Sequence, residues 1–119
     1  MISNAVVHRI DRKIGSNAEG QPQHAIGISV AIPCVLEPYS ESKYQLGATI
    51  KDCNETIFIM DDDFTAYAPL STPRPEIGDR VMARFEDESD GQSVAKEIVL
   101  VRTRKFNSIS HLELFLKKV

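Results

Sequence analysis

The chain predicts an all-β fold, a small SH3-like β-barrel, on three observations. Its apolar residues fall in short runs of period-two spacing, each bounded by Gly, Pro, Asn, Asp or Ser. No long stretch carries the three-to-four spacing of an amphipathic helix. The last third reads Glu76-Ile77-Gly78-Asp79-Arg80-Val81, an acidic turn, an apolar run, and His111-Leu-Glu-Leu-Phe-Leu-Lys-Lys-Val119. A Gly-Asp turn, two strands around a solvated turn and an alternating terminal strand are how a small closed barrel ends. Roughly six or seven strands are expected, with a long N-terminal loop and at most one short helical turn.

Taken in order, Ala5-Val-Val-His-Arg-Ile10 is short and β-branched, a first strand. Residues 11–24 gather Gly15, Ser16, Asn17, Gly20 and Pro22, the composition of a long polar loop. Residues 25–36 form the most apolar run. In it Ile26, Ile28, Val30 and Ile32 share one parity, so a strand puts all four on one face. Pro33 gives no N–H, which demands a bulge, an end or an edge there. Glu37-Pro38-Tyr39-Ser40 punctuates the run, and Glu41 in a first turn favours one helical turn over 41–45.

A hairpin is expected next, from Tyr44 to Ile50, around the turn 51–55 and back along Thr56–Met60, with Asp61-Asp62-Asp63 ending the strand. Residues 61–76 then read as a loop, stiffened by the prolines of PLSTPRP at 69–75. Arg80–Phe85 should place Val81, Ala83 and Phe85 on one side. Glu86–Gln92 makes the turn, Ser93–Arg104 returns, and 105–110 connects to the last strand. There Leu112, Leu114 and Leu116 face inward, with Glu113 and Lys117 toward water.

At 119 residues the chain has the size of one domain, 1–119. Apolar content of 42% and charged content of 26% are those of an ordinary folded domain. The net charge of −3 is unevenly spread: +1 over residues 1–24, −8 over 25–101 and +4 from Arg102 onward. An acidic body with a basic end disfavours non-specific nucleic-acid binding, which wants a broad positive face. It suits head-to-tail docking between copies. Cys34 and Cys53 have neither metal nor CxxC spacing, so both read as small buried hydrophobes of a reducing compartment. No apolar run is long enough to span a bilayer and the N-terminus has no apolar signal core, so no membrane partner is expected.

The chemistry-bearing residues are sparse. Asp61-Asp62-Asp63 offers oxygen donors, but neighbours on a strand point to opposite faces and no EF-hand spacing follows, so no metal is expected. His8, His24 and His111 are scattered. No Ser stands in a GxSxG context, and no Gly-rich phosphate cradle is present, so neither catalysis nor a cofactor is expected. Single-strand binding of the OB or cold-shock kind needs exposed aromatics in a basic groove. With aromatics at 7% and no Trp, a monomeric OB- or SH3-like nucleic-acid- or peptide-binding module stands as the alternative.

Several segments, in order, resemble the head-closure (stopper) family of tailed-bacteriophage head–tail joining proteins. They are Val7-His8-Arg9-Ile10 and a loop with Asp11, Gly15 and Gly20, followed by Val35-Leu36-Glu37-Pro38-Tyr39-Ser40, which is similar to that family's V-x-P-x-S step with one extra residue. Ile77-Gly78-Asp79-Arg80-Val81 looks like its hydrophobic-x-Gly-Asp-x-Val segment, and His111-Leu112-Glu113-Leu114 like its terminal strand. Tyr44–Met60 and Asp61–Asp63 have no counterpart in that pattern. The resemblance implies a virion protein assembled in the host cytoplasm, forming a ring of copies, a hexamer or dodecamer, in the neck. Portal or adaptor and tail proteins would be its partners, with double-stranded DNA passing through without sequence-specific contact. Arg12, Lys13, Gln21, His24, Arg74 and His111 are then expected at interfaces, and Glu86, Asp87, Glu88 and Asp90 toward the channel, where like charge lets DNA slide. Stopper, adaptor-proximal and tail-terminator-like positions stay open.

Overall fold

Strand β1 (Ala5–Ser16) is the element around which the others are arranged, because it is laddered to three other strands. A computed structural model describes residues 2–27, 29–39, 53–70 and 72–119. The further strands are β2 (Pro22–Ala25), β3 (Ser29–Pro38), β4 (Glu55–Met60), β5 (Arg80–Phe85), β6 (Lys96–Phe106) and β7 (Ile109–Lys118). Their order is β2-β1-β3-β4-β7-β6-β5, and β5 returns to pair with β1. All pairings are antiparallel, so the protein is a closed six-stranded barrel with β2 as one extra strand. The expected all-β barrel is therefore the fold.

Alternation fills the interior, and two bulges keep it filled. Ala5 and Val7 of β1 point in and are fully buried. The registers of β1 with both β3 and β5 shift between Val7 and Arg9, which turns the inward parity and brings Ile10 onto the core. A second shift between Ile98 and Leu100 of β6 does the same for Ile98 and Val101. Ile32, Cys34, Leu36, Ile57, Ile59, Val81, Leu112, Leu114 and Leu116 complete the core. Each fully buried Leu or Ile there is worth about 2 kcal/mol of removed apolar surface.

Pro33 sits inside β3, opposite Val6 of β1, and the ladder with β4 begins only at Val35. The strand thus changes partners around its missing donor.

Several expectations change. Residues 11–24 are not a loop: β1 continues to Ser16, and β2 returns along it with Lys13 opposite His24. The polar composition belongs to a two-stranded arm with a short turn. There the Asn17 side-chain oxygen accepts the N–H groups of Glu19 and Gln21, and Gly20 takes φ +80°. Ile26 does not share the inward face of Ile32; it is exposed, because the chain breaks step between β2 and β3. Ile28 and the single helical turn over 41–45 lie outside the described residues, as does the outgoing half of the hairpin before β4.

The loop expected at 61–76 begins instead as a helix, α1 (Asp61–Tyr67). Its three aspartates fill the first turn, where carboxylates are favoured by the helix dipole, and Phe64 is pressed into the barrel core. The connection expected at 105–110 shrinks to Asn107 and Ser108, both at positive φ (49° and 68°), a two-residue turn matching strand twist. Phe85 is partly exposed rather than inward.

The break between β2 and β3 depends on Gly27. Its N–H donates to Asp11 Oδ1 at 2.7 Å, and a Cβ there would lie 1.9 Å from the Ile10 carbonyl oxygen. Gly27→Ala should therefore lower stability by about 2–3 kcal/mol in urea denaturation. Gly91→Ala, where a Cβ meets open space, should stay within about 0.5 kcal/mol of the parent.

Candidate functional site

The register places three functional groupings on the barrel. Strand β5 begins at Arg80, opposite Asp11 of β1 and Glu97 of β6. Past that level β1 runs on to Ser16 and β6 to Phe106, so the β1–β2 and β6–β7 hairpins both extend beyond the same end. The acidic turn follows the other end of β5, about 17 Å away along the strand.

At the hairpin end, Asp79 is the organising group. It is nearly fully buried, and its carboxylate accepts the backbone N–H of Lys13 (Oδ1, 3.0 Å) and of Glu76 (Oδ2, 2.9 Å), with the Arg12 guanidinium at 3.5 Å. Gly78 before it has φ +95°, its N–H donates to the Ile98 carbonyl, and its own carbonyl accepts from His24 Nε2 at 2.8 Å. The Lys13 stem lies over Gly78, so a side chain there would have to displace it. Arg12 also donates to the Arg74 carbonyl (2.6 Å) and approaches Glu76 (3.4 Å). Arg74 in turn pairs with Asp61 at 2.6 Å and lies over the Phe64 ring at 5.6 Å. Four of the residues expected at interfaces, Arg12, Lys13, His24 and Arg74, are thus brought together. They are joined to one another through the Gly78-Asp79 turn. Gln21 stands apart in the arm turn, exposed, with its side-chain oxygen accepting from Asn17.

His111 belongs to a separate grouping on the outer face of β6 and β7, centred on Glu113. The terminal strand was expected to expose Glu113; instead it is buried at 1% exposure. Arg102 donates to its Oε2 at 2.7 Å, while His111 Nε2 (3.3 Å) and Arg104 (3.7 Å) approach Oε1. Cross-strand pairing explains the set: Arg102 lies opposite Glu113 and Arg104 opposite His111. Aromatic rings complete the surroundings. Phe58 tilts against His111 at 5.9 Å, Tyr39 meets Phe115 edge-on at 6.1 Å, and Arg102 lies over Phe115 at 5.7 Å. This outward but buried face was hidden from simple alternation because Phe115 and Glu113 sit at positions that a one-sided strand gives to water.

In the acidic turn, Arg84 gathers the chain around itself. It pairs with the Asp90 carboxylate and donates to the carbonyls of Phe85 and Glu88. That hydrogen bond is the main reason the Asp90 carboxyl is held below the ordinary aspartate range. Glu88 accepts the Phe85 N–H, while Glu86 and Asp87 remain exposed at the tip. A short 3-10 turn (Asp90–Gln92) with a reciprocal Ser89–Gln92 box ends the segment.

His8, in the β1 bulge, meets Ser93 Oγ at 2.5 Å. The Ser93 hydroxyl also lies 2.9 Å from the Asp90 carbonyl, to which it can donate. Among the described residues no three His, Cys, Asp or Glu side chains are placed to hold a metal ion, and no helix is long and apolar enough to cross a membrane. Burial pushes the Cys34 thiol up to about 12.

No protein-family model, curated protein or solved structure matches the chain.

Two outcomes test these groupings. Glu113→Ala should cost about 2–3 kcal/mol in chemical denaturation, since it leaves a half-buried guanidinium without its partner, and Glu113→Gln about half of that. Cys34 should resist alkylation in native protein at mildly alkaline pH and react fully in denaturant, because the reactive thiolate forms only well above that pH.

Proposed function

We propose that the chain is a structural subunit of the head–tail connector of a tailed bacteriophage. In this reading a ring of copies joins the portal or adaptor to the tail and helps retain DNA in the filled head. The observation that carries the reading is the extension of two hairpins beyond one end of a closed barrel, with an acidic turn at the other. Such a body is rigid at its centre and presents backbone and charge at both ends, as a subunit gripped from two sides requires. The ordered resemblance to head-closure proteins supports the same assignment. Its Gly78-Asp79 segment has a clear job in this fold, tying β1, the approach to β5 and β6 together. Arg12 and Lys13 then lie at the base of the arm, and Gln21 at its tip.

One feature favours the alternative of a nucleic-acid-binding module: Arg104 and Lys105 are exposed on the β6 edge. Phe58 and Phe115 are engaged at the Glu113 cluster, which takes these two rings out of base stacking.

Antibody to the chain should label purified tailed particles at the head–tail junction. Replacing residues 14–23 with an Asn-Gly turn, which shortens the arm and leaves the barrel register intact, should give heads that fill with DNA and then leak it. Infectious particles that lack the chain altogether overturn the reading. Salt-sensitive micromolar binding of single-stranded DNA by the isolated protein, read by fluorescence anisotropy, would transfer the assignment to the alternative.

A further inference from the structure

The β6 strand has a neighbour on one side only for most of its length. It pairs with β5 at Lys96 and Glu97 alone, whereas its ladder with β7 runs to Phe106. Among the described residues nothing pairs with its other edge between Leu100 and Phe106, where alternate N–H and C=O groups point outward. Thr103, Arg104 and Lys105 are exposed along this stretch, and Ile109, across the turn, is half exposed. Arg102 (2.7 Å) and Arg104 (3.7 Å) share the single carboxylate of Glu113, so together with Lys105 this stretch keeps an excess of positive charge.

At the opposite end of β5 the complement is present. Glu86 and Asp87 are exposed, and the turn carries four carboxylates, those of Glu86, Asp87, Glu88 and Asp90, against one arginine, Arg84, which pairs with Asp90. Phe85 and Val94 flank them as exposed apolar residues. Of the lysines on the adjoining strands, Lys96 is paired with Glu55 and Lys117 with Glu97. Both surfaces therefore combine an excess of charge with apolar residues, and the charges have opposite sign.

We propose that the free β6 edge at Thr103–Lys105 of one copy is the docking site for the Glu86–Asp90 turn of a second copy. Carboxylates of the turn accept hydrogen bonds from the outward N–H groups and side-chain cations of the edge, and Phe85 and Val94 meet Ile109. Because the two surfaces differ and lie at opposite ends of one barrel, the contact is heterologous, and it closes into a ring when the rotation per copy permits. This deepens the connector reading and takes from it the expectation that copies associate.

The test uses two charge variants of the full chain. In the first, Glu86→Lys is combined with Asp87→Lys; in the second, Arg104→Gln with Lys105→Glu. Thermal melts should stay close to the parent, since these side chains are exposed and the ion pair given up, Arg104 to Glu113, is a long one at 3.7 Å beside the closer Arg102. In sedimentation velocity at low salt, each variant alone should self-associate at least about tenfold more weakly than the parent. Mixing the two should restore association as a pair, because the intact edge of the first meets the intact turn of the second. Variants that self-associate like the parent, a mixture that stays monomeric, or a parent chain that is itself monomeric at low salt overturn the contact. Variants that still enter neck rings refute this contact and leave the connector reading standing. Complementation by a chain never found in tailed particles does the reverse.

Discussion

Closure of the barrel rests on β1 hydrogen-bonding along both edges, to β3 on one side and β5 on the other. With a single β1 ladder lost, the sheet would open and expose the Ile and Leu residues that make the interior. The bulge at His8 makes this double pairing possible. It coils the strand tightly enough to reach both neighbours, and it resets which residues point inward. The Asp79 carboxylate then secures the seam, since one buried group accepts N–H donors from β1 and from the turn before β5. A charged acceptor in a dry site is worth more than a neutral one, and it tolerates no substitute that lacks both oxygens.

The two ends of the molecule are built on different principles. The hairpin end is organised by buried carboxylates that accept backbone donors, with Asp11 holding Gly27 and Asp79 holding Lys13 and Glu76. The acidic end is organised by a cation, Arg84, that collects carbonyls and one carboxylate. In both cases the group that holds the backbone is spent on structure. What is left outward, Arg104 and Lys105 at one end and Glu86 and Asp87 at the other, is what a neighbour meets.

Period-two patterning made β4, β5, β7 and their inward leucines and isoleucines legible, since each has one core face and clear turn residues. The arm was not legible. Its strands face solvent, so Arg12–Ser16 and Pro22–Ala25 carry no apolar alternation and read as loop by composition. Helix α1 escaped because it buries one residue, Phe64, and has no amphipathic repeat to announce it. Glu113 was misplaced for a related reason: alternation assigns one face to water, but here Tyr39, Phe58 and Arg102 lie against that face. At the candidate site, adjacency in sequence pointed to Gly78-Asp79. The gathering of Arg12, His24 and Arg74 around that turn arises from strand pairing between segments far apart in the chain, and no local spacing encodes it.

Each long hairpin is a continuation of barrel strands, with a single bulge at Ile98–Leu100 where β6 leaves β5 and one Gly-centred break on the β2 side of the arm. A pull on the β6–β7 tip along the strand axis therefore loads many rungs at once in shear. It does not peel them one after another. A molecule made this way conveys force from its tip into its wall with little give, and it yields first on the side where Gly27 interrupts the run.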